Sequence, residues 1–570
     1  YDFIIVGGGT TGAVVASRLS ESNVKVLLIE AGDEDNFEPL VSVPLLSALN
    51  QFTNRDWSYM TEPQSNACHH MENNVLPWPR GKILGGTSSI NTLLYARGCP
   101  EDFDSWKESG ADGWAYDDVF PYFIKSEHMI SPRLAESPYH GNKGKLFINE
   151  KKLNPVGKSF LKAGEELGFE VLDDYNSDKC SGFSTFQETT NKGYRQNSAT
   201  AYLRQHAWER QENLHIIVRS HVQKVLFNQK KIATAVELLK NGQKIIVNAT
   251  KEIILSAGVI GTPQLLMLSG VGPLTELKRN KINVVSHLPG VGQNLQDHTC
   301  YMAMTSRNTA TAFSTLQESG TVHKIATNLY TPLSGTTGNL IIYFMCCKSW
   351  PTQNSLPQSQ LMLLAMETDT FAFKNFFAKG ANYKTKVFEE AYAEAEKERN
   401  KIMFSFAIIN NVLHPKSVGS IRLNPFDPNG HPLIDPKYLT DQRDADILIK
   451  GIVFRTTRIA SVVPLPSVNR LELVDKSCDN IKGYDWFNKK RLECMVRSDT
   501  FTTYHPCCTA KIGHDKMAVV DANLKVYGVK HLRVADASVF PHHISSPPQA
   551  TCYMIGEKVS DHIQKEWHLM

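Results

Sequence analysis

Asp2-Phe3-Ile4-Ile5-Val6-Gly7-Gly8-Gly9-Thr10-Thr11-Gly12 is the run from which the chain is best read. Asp2 to Val6 has the pattern of a short apolar strand, the glycines that of a tight turn, and Ala13 to Ser20 that of a helix. A second apolar run, Val24 to Ile29, follows and ends at Glu30. Strand, glycine turn, helix, strand and acid in this order form the βαβ unit of a dinucleotide site. Gly7 permits the tight turn, Gly9 lets backbone approach a pyrophosphate, and Gly12 lets the helix pack closely on the strand. The helix N-terminus adds free N–H groups and a partial positive charge. Glu30 stands where a carboxylate accepts hydrogen bonds from a ribose diol and repels a 2′-phosphate.

At 570 residues the chain is too long for one simple core, which predicts two or more interleaved domains. A net charge of +3 gives no electrostatic case for nucleic acid or a membrane surface. No apolar run approaches the ~20 residues needed to span a bilayer. The sequence opens on Tyr1, already inside the first strand, so an upstream segment such as a signal peptide is expected. One N-glycosylation sequon, Asn248-Ala249-Thr250, points the same way, toward secretion. Among 11 cysteines, Cys346-Cys347 and Cys507-Cys508 are adjacent pairs; no CxxC spacing suggests a metal, and none is expected.

Further along, Pro77-Trp78-Pro79-Arg80 leads into Gly81-Lys82-Ile83-Leu84-Gly85-Gly86-Thr87-Ser88-Ser89-Ile90-Asn91. Two glycines before small hydroxyl residues read as a second close-approach turn, its backbone donors free for an anion or a polar ring edge. A helix N-terminus capped by Thr87 or Ser88 is the plainer reading. Residues 140 to 250 alternate short strands, such as Leu214 to Val218 and His221 to Phe227, with turns. Lys251 to Ser256 is another strand, and Gly261-Thr262-Pro263 opens an apolar helix through Leu268. Phe371, Phe373, Phe376 and Phe377 form an aromatic cluster, followed by a charged helix from Lys386 to Lys401.

Three stretches resemble the signatures of the glucose–methanol–choline (GMC) oxidoreductases. Gly81 to Asp104 reads like the first. Gly258 to Gly272 resembles the second, departing from it at Val259. Leu532-Arg533-Val534-Ala535-Asp536-Ala537-Ser538 through Met554-Ile555-Gly556-Glu557 matches the C-terminal motif. The overall style resembles that of the family's arthropod branch, whose members are commonly secreted. The resemblance implies an α/β fold: a Rossmann-like FAD-binding domain interleaved with an α+β substrate-binding domain built on an antiparallel sheet. The implied division is FAD domain at 1–155, 191–300 and 501–570, a substrate-domain excursion at 156–190, and the substrate domain proper at 301–500.

It also implies bound FAD. The adenosine end falls to Gly7, Gly9, Thr10, Thr11, Gly12, Glu30 and Ala31, with Val222 contacting adenine through its backbone. The flavin end falls to Gly86, Thr87 and Asn91, with Tyr504, Asp536, Ala537, Pro548 and Gln549 approaching from the C-terminal segment. Some relatives attach FAD covalently through a histidine where this chain has Ile90, so non-covalent FAD is expected.

Oxidising an alcohol needs a base for the hydroxyl proton and an acceptor for the hydride, and the flavin supplies the acceptor at N5. In Thr503-Tyr504-His505-Pro506-Cys507-Cys508-Thr509, His505 matches the family's catalytic histidine, although Cys508 replaces a usual glycine. A neutral imidazole can take such a proton near pH 7. The family's second His or Asn, six residues after Pro541, is here Pro547, which has no side-chain donor or acceptor. Either His505 works alone, or His298, His542, His543 or water substitutes, or the substrate C–H is already activated. The expected substrate is a small apolar or aromatic alcohol, including an activated one such as a cyanohydrin, with Pro547, His543 and Phe371 as candidate pocket residues. O₂ or another electron acceptor reoxidises the flavin. Pro547-Pro548-Gln549-Ala550-Thr551 also resembles the corresponding stretch of FAD-containing hydroxynitrile lyases, an alternative without redox chemistry; a redox-inactive flavoprotein is the third reading.

Overall fold

The computed structural model describes residues 1–34, 38–151, 153, 155–179, 181–204, 212–308, 341–347, 356–367, 380–389, 403–454, 478, 481 and 488–569. The expected α/β architecture is present. Its centre is a five-stranded parallel sheet built from β1 (Phe3–Val6), β2 (Val26–Ile29), β3 (Leu214–Ile217), β4 (Glu252–Leu255) and β5 (Leu532–Val534), in the order β3-β2-β1-β4-β5. β1, β2 and β4 are buried at every position, as continuous apolar strands covered on both faces must be. Helix α1 (Thr10–Leu19) crosses from β1 to β2, α2 (Gly258–Leu268) follows β4, and α3 (Gln549–Glu566) packs along α1. A three-stranded antiparallel sheet, Ser220–Phe227, Ala233–Lys240 and Gln243–Asn248, packs on β4.

The second body is a six-stranded antiparallel sheet. Its strands run Thr500–Thr502, Thr299–Asn308, Met403–Val412, Ser359–Glu367, Ile341–Cys347 and Gly182–Phe183. Pairing at one edge of this sheet has a direct consequence for side-chain placement. Thr299 lies opposite Thr502, so the residues flanking those strands, His298 and Thr503, are brought side by side.

Several local readings need correcting. Residues 140–250 are not only strands and turns, since Pro155–Glu166 is an α-helix. Gly86–Ser89 is a single 3₁₀ turn with no side-chain cap, rather than the start of a helix, and the Thr87 hydroxyl accepts the Gly81 N–H at 3.2 Å. Gly85 and Gly86 both take positive φ, which stops an α-helix from starting there. α2 begins at Gly258, three residues before the expected start, which leaves Pro263 inside the helix. The Val259 carbonyl that Pro263 cannot satisfy accepts the Thr509 hydroxyl at 2.7 Å instead. Phe371 and its aromatic neighbours, and the charged helix beyond residue 389, lie outside the described residues.

Candidate active site

The first glycine turn is closed by backbone. A Cβ on Gly7, whose φ is +102°, would meet the Ser256 carbonyl oxygen at 2.3 Å; one on Gly12 would meet the Gly7 carbonyl oxygen at 1.9 Å. Gly9 is the exception, with only the Gly86 Cα inside 4 Å among the described residues, so it borders space left open by them on the N-terminus of α1. Thr10 and Thr11 form the first turn of that helix, and the Thr11 hydroxyl donates to the Cys552 carbonyl of α3 at 2.9 Å. Glu30 is buried, accepting N–H groups from Gly8 at 2.9 Å and Gly32 at 2.8 Å, with Ala31 between them. Burial raises its pKa to about 7 against those backbone donors. Val222 lies on the strand that starts where the Ser220 N–H donates to the Glu30 carbonyl.

The two glycine turns touch. The Gly85 N–H donates to the Gly8 carbonyl at 2.8 Å, and a Cβ on Gly86 would fall 2.7 Å from the Gly9 Cα. The Ser256 hydroxyl is buried beside this cradle with no hydrogen-bond partner among the described residues. A helix N-terminus, an acid held by backbone amides and a bare hydroxyl, around Gly7, Gly12 and Gly86 that tolerate no side chain and Gly9 that leaves space, fit the adenosine and pyrophosphate of FAD.

Toward the other end, the Asn91 amide donates to Gln549 Oε1 at 2.6 Å, tying the second glycine turn to the first residue of α3; Pro548 is that helix's N-cap. Asn91 is itself held by Arg195, whose five N–H groups go to the Val41, Ser88 and Asn91 carbonyls, Asn91 Oδ1 and Ser47 Oγ. Arg195 is buried, and no carboxylate pairs with it among the described residues; desolvation pushes its pKa down to about 9. Asp536 is committed to protein groups. It accepts from the Gly258 N–H at 2.9 Å, the Thr262 hydroxyl at 2.6 Å and the Ser538 N–H at 2.8 Å. Asp536 therefore fixes α2 against the loop of Ala537, and the Ala537 carbonyl accepts the Cys508 N–H at 3.1 Å.

That contact places the Thr503–Cys508 loop against the loop that leads into α3. The His543 Nε2 is 2.7 Å from the His505 carbonyl, the Arg80 guanidinium donates to the Tyr504 carbonyl at 2.6 Å, and the His505 N–H donates to Asp297 at 2.9 Å. Asp297 also accepts from Tyr438 at 2.5 Å and Thr502 at 2.6 Å. His505 Nδ1 lies 3.0 Å from His298 Nδ1 and 3.2 Å from the Thr503 hydroxyl. Burial, then His543 and Arg80, hold its pKa well below the usual imidazole value.

The neighbours considered as substitutes for the missing polar group are already engaged. His298 and His543 each have partners at both ring nitrogens, and the His542 Nε2 is 2.7 Å from the Ser105 hydroxyl. Pro547 is buried. Within the His298, His505 and His543 group, only His505 keeps a ring nitrogen, Nε2, with no partner among the described residues. The sequence reading missed Asp297 and Arg195; an adjacent acid and histidine, Asp297-His298, was the available signal for the first. No cluster of metal-ligating side chains occurs among the described residues.

A glycine-lined dinucleotide cradle leading to an unpaired imidazole nitrogen is the layout of a flavin-dependent oxidoreductase. The chain belongs to the GMC oxidoreductase family: the N-terminal family model matches residues 1–300 and the C-terminal one residues 415–556. It is 36% identical to glucose dehydrogenase [FAD, quinone] of Drosophila pseudoobscura pseudoobscura, over 100% of this chain and 87% of that protein. It is 34% identical to alcohol dehydrogenase [acceptor] of Pseudomonas putida, over 99% and 96%. Formate oxidase of Aspergillus oryzae superposes with a TM-score of 0.81 at 26% identity, over 100% of this chain and 99% of that one. The chain is accordingly an FAD-dependent enzyme acting on CH–OH donors.

Proposed function

We propose that the substrate is a small apolar or aromatic alcohol whose carbinol C–H is activated by an aryl or nitrile substituent, and that His505 is the base. The observation that carries this reading is an imidazole nitrogen left open in a chain that has a proline at the family's second polar position. His505 Nε2 has no partner among the described residues, while Pro547 occupies the place of the family's second polar side chain and offers neither donor nor acceptor. Bound FAD supplies the hydride acceptor, and O₂ or another electron acceptor restores it.

His505, kept neutral by its burial, takes the hydroxyl proton at Nε2. Asp297 and Arg80 hold both polar groups of the Tyr504–His505 peptide bond, so the imidazole meets the substrate in one position. The developing alkoxide receives one hydrogen bond rather than two, which favours substrates whose C–H bond needs less help. Ile90 supplies no nucleophile, so FAD is held without a covalent bond. Export from the cell is supported by the exposed Asn248 side chain and by disulfides at Cys478–Cys494, Cys507–Cys508 and Cys99.

Anaerobic mixing of the holoenzyme with benzylic alcohols and cyanohydrins is expected to bleach the flavin faster than sugars or simple aliphatic alcohols do. His505→Ala is expected to slow that bleaching by about a hundredfold or more. Preference for sugars would overturn the substrate class. An unchanged rate in His505→Ala would overturn the base, and cyanohydrin cleavage without bleaching would establish a lyase.

A further inference from the structure

Taking His505 as the base, the rings around it fix which of its nitrogens is free to act. His298 is fully buried, stacked on His543 with centroids 3.5 Å apart, and meets His505 nearly edge-on at 5.2 Å. Its Nε2 lies 3.1 Å from the Leu413 carbonyl oxygen and 2.9 Å from that of Ile544. Carbonyl oxygens only accept, so Nε2 of His298 carries a hydrogen. A second proton on this ring is disfavoured by burial, then by His543 and His505, which hold its pKa well below the usual value. Its Nδ1 is therefore a bare lone pair.

His505 Nδ1 faces that lone pair at 3.0 Å. Two lone pairs make no hydrogen bond, so His505 Nδ1 carries the hydrogen. Thr503 fits the same answer. Its hydroxyl donates its only hydrogen to the His298 carbonyl at 3.0 Å and presents a lone pair to His505 Nδ1 at 3.2 Å. We infer that His298 is a positioning residue that locks His505 in the Nδ1–H tautomer, leaving Nε2 as the proton-accepting atom. In the step itself the substrate O–H bond breaks and an Nε2–H bond forms. The Nδ1 hydrogen stays in place, and its bond to His298 strengthens as His505 becomes cationic.

The assignment of His298 is tested on holoenzyme labelled with ¹⁵N-histidine, the His505 signals being identified by their loss in His505→Ala. The expected spectrum shows His505 protonated at Nδ1 and bare at Nε2. His298→Leu, which removes both the donor and the acceptor, is expected to retain FAD, to slow single-turnover flavin reduction by about tenfold or more, and to leave substrate affinity little changed. His298→Gln, with an amide oxygen for His505 and an amide N–H for the carbonyls, is expected to recover most of the rate. A wild-type His505 protonated at Nε2 overturns the inference, whether or not the leucine variant folds. So does an FAD-loaded His298→Leu enzyme that reduces its flavin as fast as wild type. An unimpaired His505→Ala enzyme would instead remove the base itself, a separate failure.

Discussion

His505 combines two demands on one side chain: it must be neutral to accept a proton, and held still to accept it from one direction. Burial meets the first, with help from the nearby His543 and Arg80, all of which disfavour the imidazolium. This sets the sign of the pH dependence. A base whose pKa lies below the ordinary 6.5 is already unprotonated at neutral pH and loses function only when acid protonates it. The rate of flavin reduction is therefore expected to be flat through neutrality, with an acid limb centred below pH 6.5. Stopped-flow reduction across the acid range measures it, and a limb centred at or above 6.5 would mean that a different group takes the proton.

Helix α2 shows the same economy one level up. A proline in its interior removes one N–H and frees the Val259 carbonyl, which would leave a buried acceptor unpaired. Thr509, four residues beyond His505, fills that gap at 2.7 Å, while Asp536 receives the Gly258 N–H and the Thr262 hydroxyl at the helix start. The proline thus docks the catalytic loop on the nucleotide-binding sheet. Thr509→Val keeps the shape and removes the hydroxyl, so it is expected to cost ~1–3 kcal/mol of stability in denaturant titration, whereas Thr509→Ser costs little. Equal stabilities for Thr509→Val and wild type would show that the Val259 carbonyl finds another donor. The helix itself is legible in the sequence, but its start is not. Pro263 reads as a first-turn residue because the hydroxyl that lets it sit deeper is 250 residues away from the Val259 carbonyl it satisfies.

Across the whole molecule, legibility divides along the same line. Gly7, Gly12, Glu30 and His505 can be read in the sequence because their tasks demand one residue type at a fixed local spacing. Arg195 and Asp297 cannot, because each is defined by partners far along the chain: Arg195 by Val41, 154 positions away, and Asp297 by Thr502, 205 away. A third such group joins the segment after the second glycine turn to the one leading into the antiparallel sheet. Arg97 and His140 both bind Glu127, His140 at 2.6 Å; His140 also binds Asp174 at 3.0 Å, all of them buried. Burial opposes charge on His140, but Asp174 and Glu127 outweigh it and raise its pKa, despite Arg97. Burial likewise opposes charge on Asp174, and His140 outweighs it and lowers that pKa. A raised histidine stabilises the fold fully below its unfolded value of 6.5 and loses that contribution as pH rises through the folded value. A depressed aspartate stabilises above 3.8 and loses it as pH falls through its folded value. The gap in melting temperature between wild type and His140→Gln is therefore expected to be widest between those two pH values, where breaking the buried pair costs ~3 kcal/mol or more, and to narrow on both sides. Thermal melts from acid to alkaline pH measure it; a gap that stays constant with pH would show that His140 holds this junction as a neutral ring.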